Sequence, residues 1–140
     1  MPTEVVLDAS AAAKVWRTSE THSAALNRWF EETLEAGHRV IVPPVFAFEA
    51  RNLAARSVAS GPFKDAKHAV DAWVALSLTV NETATDPAEE IHLACATGLS
   101  THDAAYLCLA RAGRTLVTYD AKLAKAARKL LGPERVLSPS

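Results

Sequence analysis

The stretch EVVLDAS, Glu4 to Ser10, contains the pattern that decides the fold. Its apolar run, Val5 to Leu7, has the character of a short strand that is covered on both faces. The run ends abruptly at a carboxylate, Asp8, and the chain continues at once into the alanine-rich stretch Ala11 to Ala13. A carboxylate at the mouth of a buried strand is unusual enough to need an explanation, and the rest of the sequence supplies one.

Short strand-like runs of this kind recur along the whole chain. Four further strand-like runs follow the first, at Arg39–Val42, Leu76–Val80, Thr115–Thr118 and, more weakly, Arg135–Leu137. Apolar residues at helical spacing fill the intervals, within Leu26–Leu34, Phe63–Val74 and Leu123–Leu131. This alternation predicts an α/β sandwich around a central, mostly parallel sheet. The length of 140 residues suits one domain that spans residues 1–140.

Glycine and proline mark where the predicted helices begin and end. Gly37 and Gly113 each precede a basic residue and a strand, which is typical of a helix C-terminus. Pro43–Pro44 opens a helix after the second strand, because proline fits the first helical turn. Gly61–Pro62 separates that helix from the next.

Composition excludes several classes of protein. Apolar residues make up 49% of the chain and charged residues 22%, which indicates a packed core. The 15 basic and 16 acidic residues give a net charge of −1, which argues against binding nucleic acid through bulk positive charge. No membrane-spanning stretch and no secretory signal are visible, so a cytoplasmic location is expected. Cys95 and Cys108 lack zinc-ligand spacing and are predicted to be small core residues.

Four acidic residues are placed where a parallel sheet would bring them together. Asp8 and Asp120 follow the ends of strands, Glu49 lies about one turn into the helix opened by Pro43–Pro44, and Asp103 begins an apolar helix. Ligands of open parallel sheets bind beyond the carboxyl ends of the strands. Right-handed connections can bring all four acids to that edge.

Each acid also has a structural interpretation of its own. Asp8, Asp103 and Asp120 are well placed as helix caps or first-turn residues, and Glu49 could pair with a nearby arginine. Together, however, crowded carboxylates repel one another and lose water unless a cation joins them. Oxygen-only ligands suit Mg²⁺ or Mn²⁺, which can activate water and neutralise a phosphate. The pattern therefore predicts metal-dependent phosphodiester hydrolysis.

The four acidic blocks carry a family resemblance. The segments VVLDASAAAKVW, VPPVFAFEARNLAAR, STHDAAYLCLARAG and TLVTYDAKLAKAA resemble, in this order, the signature blocks of PIN domains. More narrowly, they resemble VapC-type toxins of toxin–antitoxin pairs. The resemblance implies a three-layer α/β/α fold, a Mg²⁺- or Mn²⁺-dependent ribonuclease that cleaves RNA, a cognate antitoxin protein and a homodimer.

The resemblance also assigns roles to individual residues. Asp8, Glu49 and Asp103 match the core acids of the family, and Asp120 matches a fourth, more variable acid. Among them, Asp8, Asp103 and Asp120 are the expected metal ligands, while Glu49 would bind the ion through water or orient the attacking water. Two supporting positions also match, Ser10 beside the first acid and Thr118 beside the fourth. His102 is not expected from the family pattern, and its role stays open.

Basic residues near the acids are candidate contacts for RNA or an antitoxin. They are Lys14, Arg17, Arg51 and Arg56. A solvated helix face is an equally good interpretation, since charged runs usually have no other role. Single-stranded or loop RNA is the better candidate substrate, because a cleft at a sheet edge cannot read the deep groove of a duplex.

Other functional classes fit the sequence less well. A Rossmann module needs a glycine-rich turn after the first strand, and a P-loop ATPase needs its lysine motif; both are absent. A phosphoacceptor domain needs a late lysine where this chain has Asp120. The strongest alternative is a non-catalytic protein-binding module whose acidic pocket captures a basic partner segment.

Overall fold

A computed structural model describes residues 3–16 and 23–139. Within them, five strands and seven α-helices alternate along the chain. The strands are β1 (Glu4–Leu7), β2 (Arg39–Val42), β3 (Val80–Glu82), β4 (Thr115–Val117) and β5 (Val136–Leu137). The helices are α1 (Ala9–Val15), α2 (Ser23–Glu35), α3 (Val45–Ser60), α4 (Ala66–Ser77), α5 (Pro87–Thr97), α6 (Thr101–Arg111) and α7 (Ala121–Leu131).

The strands form one parallel sheet with the order β3-β2-β1-β4-β5. The first strand is central, with Val6 paired to Ile41 of β2 on one side and to Leu116 of β4 on the other. The chain moves outward from β1 to β3 and then crosses over to β4. The carboxyl end of β1 therefore lies at the point where the strand order reverses, which is where ligands of such sheets bind.

Helices cover the sheet in two groups. Contacts join α1 to α2 and α3, and α3 to α4, while α6 contacts both α5 and α7. The sixth helix lies against β1, β2 and β4, and its residues Ala104 to Ala110 are all buried. The predicted α/β/α fold with a parallel sheet is thus confirmed.

The third predicted strand was placed wrongly. The run Leu76–Val80 was expected to be a strand, but α4 continues to Ser77 and β3 begins only at Val80. Leu76 is buried as part of the apolar face of α4. A short apolar run gives no period by which a buried helix end can be told from a buried strand.

The two cysteines occupy different environments. Cys108 is buried on α6 as predicted, but Cys95 on α5 is exposed, so the prediction that both are core residues is wrong for Cys95. Within the described ranges, no helix has the length and apolar character needed to cross a membrane. Gly37, Gly61 and Gly113 adopt positive φ angles, consistent with the predicted helix ends.

Candidate active site

Asp8 is a buried carboxylate with a hydrogen bond to each oxygen. Its side chain is held at the end of β1, where the residue is only 4% exposed. Oδ1 accepts from the Ser10 hydroxyl at 2.6 Å and from the backbone N–H of Ala11 at 3.1 Å. Oδ2 accepts from the Thr118 hydroxyl at 2.6 Å. Asp8 is therefore the N-cap of α1 and a buried charge at the sheet edge at the same time.

Thr118 connects Asp8 to the segment that holds Asp120. The threonine is fully buried just beyond β4, and its hydroxyl oxygen accepts from the backbone N–H of Asp120 at 3.0 Å while donating to Asp8. Asp120 itself caps α7, with Oδ1 accepting from the N–H of Leu123 at 2.9 Å. The cap fixes one oxygen of Asp120 at the helix terminus.

Glu49 is held across the sheet edge by a tyrosine from the opposite helical layer. The carboxylate extends from α3, and its Oε1 accepts from the Tyr106 hydroxyl of α6 at 2.6 Å. Tyr106 is only 1% exposed. Sequence reasoning missed Tyr106, because an aromatic residue among Ala105, Leu107 and Leu109 is typical of a core position. The available signal was its place one helical turn after Asp103, on the same face.

Asp103 lies in the first turn of α6, where the helix N-terminus favours a negative charge. Ser100 caps this helix by accepting the Asp103 backbone N–H at 3.1 Å. The capping serine thus sets the backbone position from which the half-buried carboxylate of Asp103 extends.

The four acids influence one another electrostatically. Burial raises the pKa of Asp8, against the opposing effect of its hydrogen bonds from Ser10 and Thr118. Burial also raises the pKa of Glu49, to which the charges of Asp8 and Asp103 add. The pKa of Asp103 is raised by burial and then by the charges of Asp120 and Asp8. The structure therefore brings Asp8, Glu49, Asp103 and Asp120 together at one edge of the sheet, where they form an acidic group. Their catalytic role stays a prediction.

His102 lies close enough to this group to affect it. Its positive charge would lower the pKa of both Glu49 and Asp103. The side chain also lines a cavity of about 340 Å³ with Pro44 and the 71%-exposed Phe48. His102 therefore borders the acidic group and an adjoining cavity, and is not a remote surface residue.

The acidic group has the donor chemistry for a hard cation but not a closed cage. Its ligands would all be carboxylate oxygens, which Mg²⁺ and Mn²⁺ prefer. None of the ion pairs within the described part of the chain uses Asp8, Glu49, Asp103 or Asp120. In those same residues, however, no three His, Cys, Asp or Glu side chains are arranged to hold an ion as they stand. A cation would thus have to draw the carboxylates inward or bind some of them through water.

The predicted basic contacts are distributed unevenly around the acids. Lys14 lies on α1, with Nζ 5.2 Å from the ring centre of Tyr119, the residue that precedes Asp120. Arg51 instead faces α4, with its guanidinium 4.8 Å from the Phe48 ring and 5.8 Å from the Trp73 ring. Arg56 is exposed on α3, and Arg17 lies outside the described residues.

Comparisons with known proteins agree with this architecture. The family model for the PIN domain matches residues 5–129. Among solved structures, the chain is similar to the crystal structure of PAE2754 from Pyrobaculum aerophilum, with a TM-score of 0.68 and 22% sequence identity. The match covers 89% of this chain and 79% of that one. At this identity the likeness supports the fold alone. A search of curated proteins found no match.

Proposed function

Because the chain belongs to the PIN domain family, whose members are typically metal-dependent nucleases, we propose that it is a Mg²⁺- or Mn²⁺-dependent endoribonuclease and the toxin of a toxin–antitoxin pair. The observation that carries the catalytic part is the convergence of Asp8, Glu49, Asp103 and Asp120 at the sheet edge. At least three of these carboxylates have a raised pKa, and a divalent cation would relieve that cost.

Asp8, Asp103 and Asp120 are the proposed metal ligands, with Glu49 joining directly or through water. When bound, the ion would activate water and neutralise the charge on the phosphate. Residues of the chain then orient the ligands. Ser10 and Thr118 hold the Asp8 carboxylate with one hydroxyl on each oxygen.

Tyr106 has the corresponding role for Glu49. Its hydroxyl donates to Oε1 and leaves Oε2 available to an ion or to a water molecule. A buried phenol on a core helix fixes this geometry more firmly than a solvent-exposed donor would. Tyr106 is therefore a positioning residue in the proposed mechanism.

The partner part of the proposal is a cognate antitoxin and a second copy of the chain. Exposed apolar side chains on and just after α4 support such a surface, with Val70 57%, Val74 48% and Leu78 83% exposed. Between α3 and α4 they adjoin an apolar groove of about 440 Å³ that Arg51 and Trp73 line. Apolar patches of this kind are typical of protein contacts.

One observation favours a second candidate function. Because no three acidic side chains form a ready metal site among the described residues, the same pocket could capture a partner's arginine without catalysing a reaction. Such a module would bind a basic peptide equally well with chelator present, and it would not cleave RNA.

Cleavage assays with purified protein test the enzyme proposal. We expect RNA cleavage with Mg²⁺ or Mn²⁺ and none with excess EDTA, and Asp103→Asn should reduce the rate at least about 100-fold, since even residues that only support ligands contribute 10- to 100-fold. Asp86→Asn is the matched control, because Asp86 caps α5 outside the acidic group and its cap should survive. Undiminished cleavage in EDTA would overturn the proposal.

The toxin role needs a separate test in cells. Expression of the chain alone should arrest growth, while Asp103→Asn should not, and co-expression of the neighbouring antitoxin should relieve the arrest. Growth that continues normally when catalytically active protein accumulates would contradict the toxin role while leaving the nuclease intact.

A further inference from the structure

A groove lined by lysines lies on the helical layer formed by α5, α6 and α7. It has a volume of about 550 Å³ and runs between α5 and α7. Lys122, Lys125 and Lys129 line its α7 side, together with Ala126 and Leu130. The α5 side is mainly apolar and small, with Leu93, Ala96 and Thr97. The groove therefore combines a wall that carries three lysines with a wall that carries no charge.

The three lysines form a row rather than a scatter. Their spacing of three and then four residues places them on one face of α7. All three are exposed, and none takes part in an ion pair within the described residues. The helix carries no acidic residue between Ala121 and Leu131, although the chain as a whole has a net charge of −1. Positive charge is thus concentrated here.

One end of the groove is formed by residues that are close in sequence to the acidic group. Lys122 follows Asp120 by two residues at the start of α7. On the other wall, Thr97 ends α5, and three residues later Ser100 caps the helix that carries Asp103. The row of lysines therefore begins beside two of the four acids and leads away from them.

We propose that this groove, the lysine groove, binds the phosphate backbone of single-stranded RNA and leads it to the acidic group. The inference rests on the proposed nuclease function and specifies how its substrate is held. Lys122 and Lys129 are about 10.5 Å apart along the helix axis at 1.5 Å per residue. A stacked strand advances about 3.4 Å per nucleotide, so the row spans about three nucleotide steps.

RNA fits this surface better than an acidic protein segment does. The apolar wall can contact ribose and base surfaces while the lysines contact phosphates, as in other sites for single strands. An acidic peptide that followed the groove would meet the carboxylates of Asp103 and Asp120, which repel it. An RNA strand would instead present its next phosphate where the proposed divalent cation neutralises both partners.

A charge-matched pair of variants tests the groove. The triple variant Lys122→Gln, Lys125→Gln, Lys129→Gln removes three charges from the row. The control, Lys64→Gln, Lys67→Gln, Arg128→Gln, also removes three charges, from exposed residues that do not line the groove. Arg128 is adjacent to Lys129 on the same helix, so the comparison separates the row from the general charge of α7. Thermal melts should show both variants folded.

Binding of a labelled oligouridylate in EDTA, at increasing KCl concentration, is the first measurement. Three lost phosphate contacts should reduce the slope of log affinity against log salt by about 2 in the groove variant. The control should keep the wild-type slope. With Mg²⁺, the groove variant should show a raised KM for long RNA, whereas the control should keep the wild-type KM.

The outcomes separate this inference from the nuclease proposal. Equal slopes of log affinity against log salt for the two triple variants would overturn the proposal that the lysine groove binds RNA, even if the wild type cleaves RNA. RNA binding lost only in the groove variant would support it, even if the wild type never cleaves. An oligoglutamate that binds the wild type more tightly than RNA, through the same lysines, would reassign the groove to an acidic protein segment and overturn the RNA proposal.

Discussion

The Asp8 side chain combines a helix cap with a buried charge, and Asp8→Asn separates the two. Asparagine caps a helix about as well as aspartate, so the cap should survive while the charge is lost. Because burial raises the pKa of Asp8 above its ordinary value of 3.8, the ionised carboxylate lowers the free energy of unfolding. In EDTA at neutral pH, we therefore expect the variant to be at least as stable as the wild type in urea unfolding.

The pH dependence of this difference has a definite sign. The wild type should lose free energy of unfolding as the pH rises from 3.8 through the raised pKa of Asp8, because the folded state holds the proton more tightly. The variant has no such group, so its advantage should be full above the raised pKa and vanish below 3.8. A variant less stable than the wild type at neutral pH would show that the hydrogen bonds from Ser10 and Thr118 outweigh the buried charge.

Tyr106→Phe removes only the hydroxyl that holds Glu49. We expect cleavage to fall roughly 10- to 100-fold through kcat, with KM nearly unchanged, as for other residues that orient a ligand. The double variant with Glu49→Gln should cleave no more slowly than Glu49→Gln alone, because Tyr106 acts through Glu49. Multiplied losses in the double variant would show instead that Tyr106 acts independently.

Sequence reasoning found the four acids but missed Tyr106, the hydrogen-bond partner of Glu49, and the reason is physical. A strand end and a helix cap leave local signals, which is why Asp8, Asp103 and Asp120 could be selected by position. The hydrogen bond from Tyr106 to Glu49 joins residues 57 apart in the chain. No local pattern encodes it, and the apolar neighbours of Tyr106 indicate only a core position.

The sixth helix depends on Ser100 for its start. Ser100→Ala removes the side chain that accepts the Asp103 backbone N–H, which should destabilise the protein by about 1 kcal/mol. For a chain of this size, that corresponds to a loss of about 4 °C in Tm. Ser100→Asp can still cap the helix and should largely restore the Tm in thermal melts. An unchanged Tm in Ser100→Ala would indicate that packing of α6 alone fixes its first turn.

The bounds of a strand or helix were predicted well where a glycine or proline marks its ends. Arg39–Val42 is a strand with the predicted bounds, because Gly37 precedes it and Pro43 follows. The third strand lacked such a boundary. The sequence from Trp73 to Val80 contains neither glycine nor proline, so no local signal marks where α4 ends and β3 begins.

Metal binding should stabilise the folded protein as a whole. An ion that binds the acidic group only in the folded state contributes about 2.7 kcal/mol at one hundred times its dissociation constant. We expect saturating Mn²⁺ to raise the Tm of the wild type, and Asp8→Asn to lose most of this response. An equal rise in the two proteins would place the bound ion away from Asp8.

The two cysteine thiols should react at different rates, because one is exposed and the other is buried. Burial raises the pKa of the Cys108 thiol to about 11, whereas Cys95 is exposed. At mildly alkaline pH, a thiol reagent should modify one cysteine quickly in the native protein and the second only at the rate of opening of α6. Cys95→Ser should remove the fast phase, and a fast phase that persists would place the reactive thiol at Cys108.

The dispersed origin of the four acids has a consequence for protein synthesis. Asp8 leaves the ribosome long before Asp120, and Thr118, which completes the hydrogen bonds to Asp8, comes from the same later segment as Asp120. A nascent chain that has not yet reached β4 therefore has no assembled acidic group, whatever chemistry that group performs. Any activity that needs this group would appear only after β4 and Asp120 have been synthesised, and products truncated before β4 would lack it.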